Sequence, residues 1–274
     1  LTRIHLEEDV GKLTHFENDS LVDYNRADVR SFLIKSKEVG HKTTTIRRRL
    51  NSLSAVFNFA YHEYEIDRRN PFAKVWIEGE GEDSFSRVPF KLSELESIYR
   101  HSVEYGGVRS MFPILGETGC RLAEIVGLRV DDYNQGEGVI HIRENRARRL
   151  KTTGSKRSLP VGGIARDMLD RIRLEVQGEW MFPQYIKGGV CTATHTSNTL
   201  NKWLKKSYNG KTVHCFRHAL RDRLRAIECP LELIEQIGGW ASVGGSGAGY
   251  GLGYSIEHKK EWLAKIWISD KLIV

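Results

Sequence analysis

Apolar residues recur at spacings of three and four along most of the chain, and the stripes they draw predict a mainly helical fold. Ile46, Leu50, Leu53, Phe57 and Ala60 line one face, which predicts a long helix with a buried side starting near Thr43. Before it, Asn25 is placed to cap a helix that turns Val29, Phe32 and Leu33 inward and ends at Gly40. Asn70-Pro71 closes this unit, because the residue before a proline is driven out of helical backbone. The run EGEGEDSFSR, Glu78 to Arg87, is acidic, glycine-rich and without period. It predicts a linker over about 78–88 and a domain boundary near residue 85.

The second unit opens on Ser93 and Glu96, the spacing of a capping box, with Leu92, Leu95, Ile98 and Tyr99 as the apolar side of the helix. Met111 to Leu115 reads as helix, broken by Gly116 and Gly119, and Arg121 starts another helix with Leu122, Ile125 and Val126 inward. Val139 to Ile142 reads as a strand. The basic stretch after it, closed by Leu159-Pro160-Val161, predicts a small antiparallel sheet whose hairpin tip carries Lys151 to Lys156. Further helices are expected at Ile164–Val176, Thr196–Lys206, His214–Ile227, Leu231–Ile237 and Ile256–Ile268, the last anchored by Trp262, Leu263 and Ile266. Gly238 to Gly253 is a glycine-rich loop. The fold class that results is mainly α with a small antiparallel β-sheet: a helical domain over 1–85 and an α+β domain over 86–274.

Length and composition sharpen this picture only in part. A chain of 274 residues suits one large domain or two ordinary ones. A net charge of +7 favours an anionic partner, although a basic face is often merely solvated. The four cysteines, Cys120, Cys191, Cys215 and Cys229, make no CxxC pair, which points to a reducing cytoplasmic setting. No apolar run is long enough to span a bilayer, and no signal peptide is apparent. The first residue is Leu1 rather than Met, so an N-terminal piece is expected upstream.

The candidate chemistry gathers between Thr212 and Tyr254. His214 and Arg217 stand one helical turn apart, a glycine-rich run follows Trp240, and tyrosines end it. Imidazole, guanidinium and indole N–H groups all bond phosphate oxygens, and a phenol delivered beside them is a nucleophile. His214 and His218 also have metal-ligand spacing, but Cys215 stands where a zinc-protease motif needs Glu, and no third ligand is apparent; no metal is expected. Arg121 in a first helical turn sits at the positive end of the helix dipole. It needs either a carboxylate, Glu124 or Glu117, or a bound anion. Arg47, Arg48 and Arg49 fall off the buried stripe and either hold a DNA backbone or form a solvated face.

Taken in order, these segments resemble the tyrosine recombinases, the phage integrase family. TGCRLAEIVGL (Thr118 to Leu128) is similar to the family's first arginine box, and LKTTGSKRSLPV (Leu150 to Val161) to its lysine-bearing β-hairpin. HCFRH (His214 to His218), GGW (Gly238 to Trp240) and a following tyrosine are similar to its second box. The likeness covers roughly residues 85 to 274, and Ile46 to Pro71 resembles the family's core-binding domain. It implies catalytic roles for Arg121, Lys151, His214, Arg217, Trp240 and Tyr250. Lys156 is the rival for the lysine and a DNA contact, and Tyr254 is the rival for the nucleophile. The loop GGWASVGGSGAGYGLGYS resembles those of integrases of prophages and genomic islands.

What the resemblance implies is metal-free, cofactor-free strand transfer on double-stranded DNA through a 3′-phosphotyrosine, with the DNA between the two domains. It also implies a tetramer on DNA exchanging C-terminal helices, with Trp262 and Leu263 either anchoring the exchange or covering the core of their own domain, accessory bending or directionality factors, and a nucleoid-associated cytoplasmic location. Two other readings share part of the signature: a type IB topoisomerase-like nicking and closing enzyme, and an inactive DNA-binding relative. Members of the family often carry a further small N-terminal arm-binding domain, which the present sequence does not include.

Overall fold

The computed structural model describes residues 20–84, 88–151, 153–240 and 253–269, and it divides into two compact units, Leu1–Ser86 and Arg87–Val274. In the first unit, α1 (Arg26–Glu38) and α2 (Thr43–Glu63) pack through the stripes read above. Val29 and Phe32 meet Ile46, Leu50 and Phe57 in one buried cluster, with Leu33 and Leu53 half-buried at its margin. The cap at Asn25 is reciprocal. Its side chain accepts from Ala27 N at 2.7 Å, and Asp28 accepts from Asn25 N at 2.8 Å.

Two expectations about this unit are corrected. Asn70-Pro71 does not close it: Phe72, Val75 and Ile77 run on into the same core. Nor is the acidic run a free linker as far as residue 83. Asp83 accepts from the backbone N–H of Thr43 at 2.7 Å and from the Thr43 hydroxyl, Gly81 N donates to that hydroxyl at 3.0 Å, and Glu80 accepts from Arg47 Nε at 2.6 Å. The first N–H groups of a helix have no partner within it, and its N-terminus is partly positive, so an acidic segment returns to cap α2. The composition that reads as a spacer is here a helix cap.

The second unit is built around α4 (Met111–Thr118), buried along its whole length. It packs against α3 (Leu92–Tyr105), α6 (Gly163–Glu175) and α8 (His214–Ala226). Gly119, with φ of +62°, ends α4, and α5 (Leu122–Val126) follows. A three-stranded antiparallel sheet runs β1 (Tyr133–Asn134), β2 (Val139–Ile142), β3 (Arg157–Pro160), with Ile140 opposite both Tyr133 and Leu159. Then come a two-stranded hairpin of β4 (Ile186–Lys187) and β5 (Val190–Cys191), α7 (Ala193–Ser207), α8, α9 (Leu231–Gly238) and α10 (Ile256–Ala264).

Here too the structure departs from the pattern. The cap of α3 is Glu94 accepting from Lys91 N at 2.7 Å, not the Ser93–Glu96 pair, and Leu92 is exposed. Gly116 does not break α4; it lies inside it because α3 crosses there. A Cβ at Gly116 would stand 1.7 Å from the Tyr99 hydroxyl oxygen. Gly116→Ala is therefore expected to lower stability by about 1–3 kcal/mol, the usual cost of overpacking, seen as a lower melting temperature.

The last helix stops at Ala264, short of Ile268, and the chain continues through a turn at Lys265 and Ile266. Ile268 N donates to Glu117 Oε2 at 3.0 Å, and its carbonyl accepts from Ile164 N at 3.2 Å. Leu263 is fully buried in its own unit and Trp262 half-buried against the same core. In the single chain both therefore cover the core of their own unit. Among the described residues, no helix is long and apolar enough to cross a membrane.

Candidate active site

Arg217 lies in the first turn of α8. Cys215, Phe216 and Leu220 anchor this helix in the core, and Arg217 follows them inward, only 3% exposed. Its Nη1 donates to the Gly119 carbonyl at 2.6 Å, which ties α8 to the turn between α4 and α5. The guanidinium carbon stands 4.2 Å from the centre of the Trp240 ring, and that of Arg221 stands 5.0 Å from the same ring. The indole face thus serves as a platform for cations. Arg217 Nη2 is buried and has no hydrogen-bond partner among the described residues. Burial, then the charges of Arg121 and Arg157, push the Arg217 pKa down to about 10.

Arg121 comes to the same place from the other side of Gly119, directly before α5. Its Nη1 donates to Glu124 Oε1 at 2.8 Å and to Ser155 Oγ at 2.9 Å, and its Nη2 donates to the Gly239 carbonyl at 3.3 Å. Glu124 also accepts from Arg121 N at 2.9 Å. Of the two carboxylates weighed for Arg121, Glu124 is the partner, while Glu117 pairs with Arg223 at 2.8 Å. The hairpin does not project freely between Lys151 and Lys156. Thr153–Ser155 forms a helical turn, and Ser155 is fully buried against Arg121. Lys151 and Lys156 stay exposed on either side of it.

Sequence reading missed Arg157. It is buried on β3 and donates Nη2 to Glu124 Oε2 at 2.9 Å, Nε to the Ile237 carbonyl at 2.9 Å and Nη1 to the Ser155 carbonyl at 2.8 Å. Burial alone would raise the Glu124 pKa, but the charge and hydrogen bonds of Arg157, then those of Arg121, hold it below the usual carboxylate range. One signal was available. Strand alternation turns Arg157 to the same side as Leu159, and a charge on an inward position requires a buried partner. Arg121 and Arg157 thus share a single carboxylate, and Arg217 stands close enough to feel the charge of all three.

The remaining predicted residues are spread more widely. His214 opens α8, exposed, with its ring 5.0 Å from that of His218 at a near-perpendicular angle. Among the described residues no cluster of side chains that could hold a metal ion is formed. Tyr250 lies outside the described residues. Tyr254 lies within them, its N–H donating to Gln236 Oε1 at 2.9 Å and its ring beside His258 at 5.9 Å. Of the three arginines read as a DNA contact or a solvated face, Arg47 is bonded by Glu80 and by the Val75 carbonyl at 2.7 Å, Arg48 is exposed and Arg49 half-buried.

Comparison with known proteins agrees with this arrangement. The model of the phage integrase family matches residues 90–246, more than half of the chain, and that of its N-terminal SAM-like domain matches residues 3–64. A tyrosine recombinase XerD of Yersinia pestis is 28% identical over 146 residues, covering 51% of this chain and 47% of that protein. The chain spans about half the length of such curated relatives. Among solved structures, the Tn1549 transposon integrase in complex with transposon right end DNA superposes with a TM-score of 0.69 at 17% identity, over 97% of this chain and 94% of that one. A lambda integrase tetramer bound to a Holliday junction gives 0.62 at 15% identity, over 89% and 75%. With two guanidiniums brought together behind an indole, a helical unit ahead of them and both family models matched in order, the chain belongs to the phage integrase family of tyrosine recombinases.

Proposed function

We propose that this protein is a site-specific DNA recombinase that cuts and rejoins strands through a 3′-phosphotyrosine intermediate. The observation that supports the reading is the convergence of Arg121 and Arg217, distant in sequence, on the turn at Gly119, with a buried Arg217 Nη2 left without an acceptor among the described residues. Two guanidiniums on one carboxylate, with that of Arg217 beside them, leave a site with excess positive charge, which suits a phosphodiester.

In the step proposed, the Tyr250 hydroxyl oxygen bonds to phosphorus as the P–O5′ bond breaks. His214 takes the phenol proton, and Lys151 gives one to the departing 5′ oxygen. Arg121 and Arg217 hold the non-bridging oxygens, whose charge grows in the transition state. Trp240 acts through its ring face, holding the orientation of the planar Arg217 fork. A 5′ hydroxyl from a partner strand reverses the chemistry. Tyr250 is favoured over Tyr254 because the latter is fastened beside Gln236 and His258. Lys151 is favoured by its motif, with exposed Lys156 and Arg48 as DNA contacts. By analogy with the Holliday-junction-bound lambda integrase, the active form is a tetramer on DNA. The substrate is mobile DNA of prophage or island type, the setting is the bacterial cytoplasm at the nucleoid, and accessory factors set direction.

The test is a nicked suicide duplex carrying the recombination site. The reading expects a protein–DNA adduct on a denaturing gel, and Holliday junctions when two intact sites are supplied. Binding without any adduct would make the chain a DNA-binding relative, and adduct with supercoil relaxation but no junctions a nicking and closing enzyme.

A further inference from the structure

We infer that Arg157 is a positioning residue of this site, which sets where the Arg121 guanidinium stands and where the segment bearing Trp240 and the tyrosine leaves the fold. The inference rests on the strand-transfer reading above.

The argument is one of connectivity. Arg157 is 9% exposed, and each nitrogen of its guanidinium grips a different part of the site. Nη2 holds Glu124 Oε2 at 2.9 Å and reaches the Cys120 sulfur at 3.4 Å, on the arm that carries Arg121. Nη1 holds the Ser155 carbonyl at 2.8 Å, and the hydroxyl of that same serine accepts from Arg121 at 2.9 Å. Nε holds the Ile237 carbonyl at 2.9 Å, at the end of α9.

Two residues further on stands Gly239, whose carbonyl accepts from Arg121. Its φ is +62°, and a Cβ there would lie 2.9 Å from Arg157 Nη1, so the chain passes directly over this guanidinium before Trp240. Every hydrogen bond that orients the Arg121 side chain therefore ends on Glu124, Ser155 or Gly239, and Arg157 touches or bonds all three. Arg157 itself is buried, with all three of its guanidinium nitrogens engaged within the protein. It acts through Arg121. A lysine could keep one of these contacts and the charge, but a single amine cannot span three directions.

The experiment compares the whole wild-type chain with Arg157→Lys and Arg157→Met on nicked suicide duplexes. One duplex has an ordinary scissile phosphodiester, and the other a neutral methylphosphonate in its place. Arg121→Ala serves as the reference. Adduct formation is followed in single turnover at saturating protein, with DNA affinity and melting temperature measured alongside.

The inference expects affinity within about threefold of wild type, and phosphodiester cleavage slowed at least a hundredfold. The ratio of methylphosphonate to phosphodiester rates should rise at least tenfold, as in Arg121→Ala, because a neutral centre needs less guanidinium stabilisation. A purely structural role slows both substrates alike, so an unchanged ratio overturns the inference, as does a wild-type rate. If Arg157→Met lacks a melting transition, the same ratio is read from Arg157→Lys. Absence of adduct from the wild-type chain would instead overturn the strand-transfer reading itself.

Discussion

Arg217→Lys is expected to slow strand cleavage by about two to three orders of magnitude although it keeps the formal charge, because it removes one preorganised donor at the developing oxyanion. Arg217 does three things at once: Nη1 holds the Gly119 carbonyl, Nη2 has no acceptor among the described residues and so can serve the phosphate, and the plane rests on Trp240. One ammonium can satisfy the carbonyl or the phosphate, not both.

Burial and the neighbouring arginines already bring the arginine down to about 10, so the charge at this position is held against its surroundings. Single-turnover cleavage of the suicide duplex, with melting temperature and affinity as controls, gives the answer. A rate near wild type would mean that Arg217 supplies no more than charge.

Glu117→Leu is expected to be the most destabilising single change in the second unit, by about 3–5 kcal/mol, the usual cost of stripping one partner from a buried ion pair. Glu117 is fully buried. It accepts from Arg223 at 2.8 and 3.2 Å, from the Tyr99 hydroxyl at 3.0 Å and from Ile268 N at 3.0 Å. Its loss leaves Arg223 charged in the interior and releases the end of the chain from the core. The melting temperature should fall by roughly 10 °C or more. Replacing Arg223 by Leu as well should recover a good part of this, since the isolated charge and not the missing contact is the main cost. An unchanged melting temperature in Glu117→Leu would show that water reaches Arg223 once the carboxylate is gone.

What could be read from the sequence was whatever repeats locally. Ile46, Leu50 and Phe57 declare α2, and Asn25 declares its neighbour's cap, because helix faces and caps are settled within a few residues. Arg121 and Arg217 were legible through their boxes, and the oddity of a cation at the start of α5 called for a carboxylate, Glu124 or Glu117, or a bound anion, of which the fold supplies Glu124. What stayed hidden depends on partners far along the chain. Asp83 caps α2 from forty residues away, so its segment reads as a spacer. Gly116 reads as a break, although Tyr99 of another helix dictates it. Arg157 reads as one more cation in a basic hairpin, and only the folded chain shows its three anchor points. The β4–β5 hairpin, with two residues per strand, is too short for any periodicity to register.

The most direct measurement is to digest the protein–DNA adduct and identify by mass spectrometry the residue that carries the phosphate. The account predicts a phosphotyrosine at Tyr250, lost together with the adduct in Tyr250→Phe. A phosphate on a serine or on a tyrosine outside the segment between Trp240 and Ser255, or an undiminished adduct in Tyr250→Phe, would contradict it.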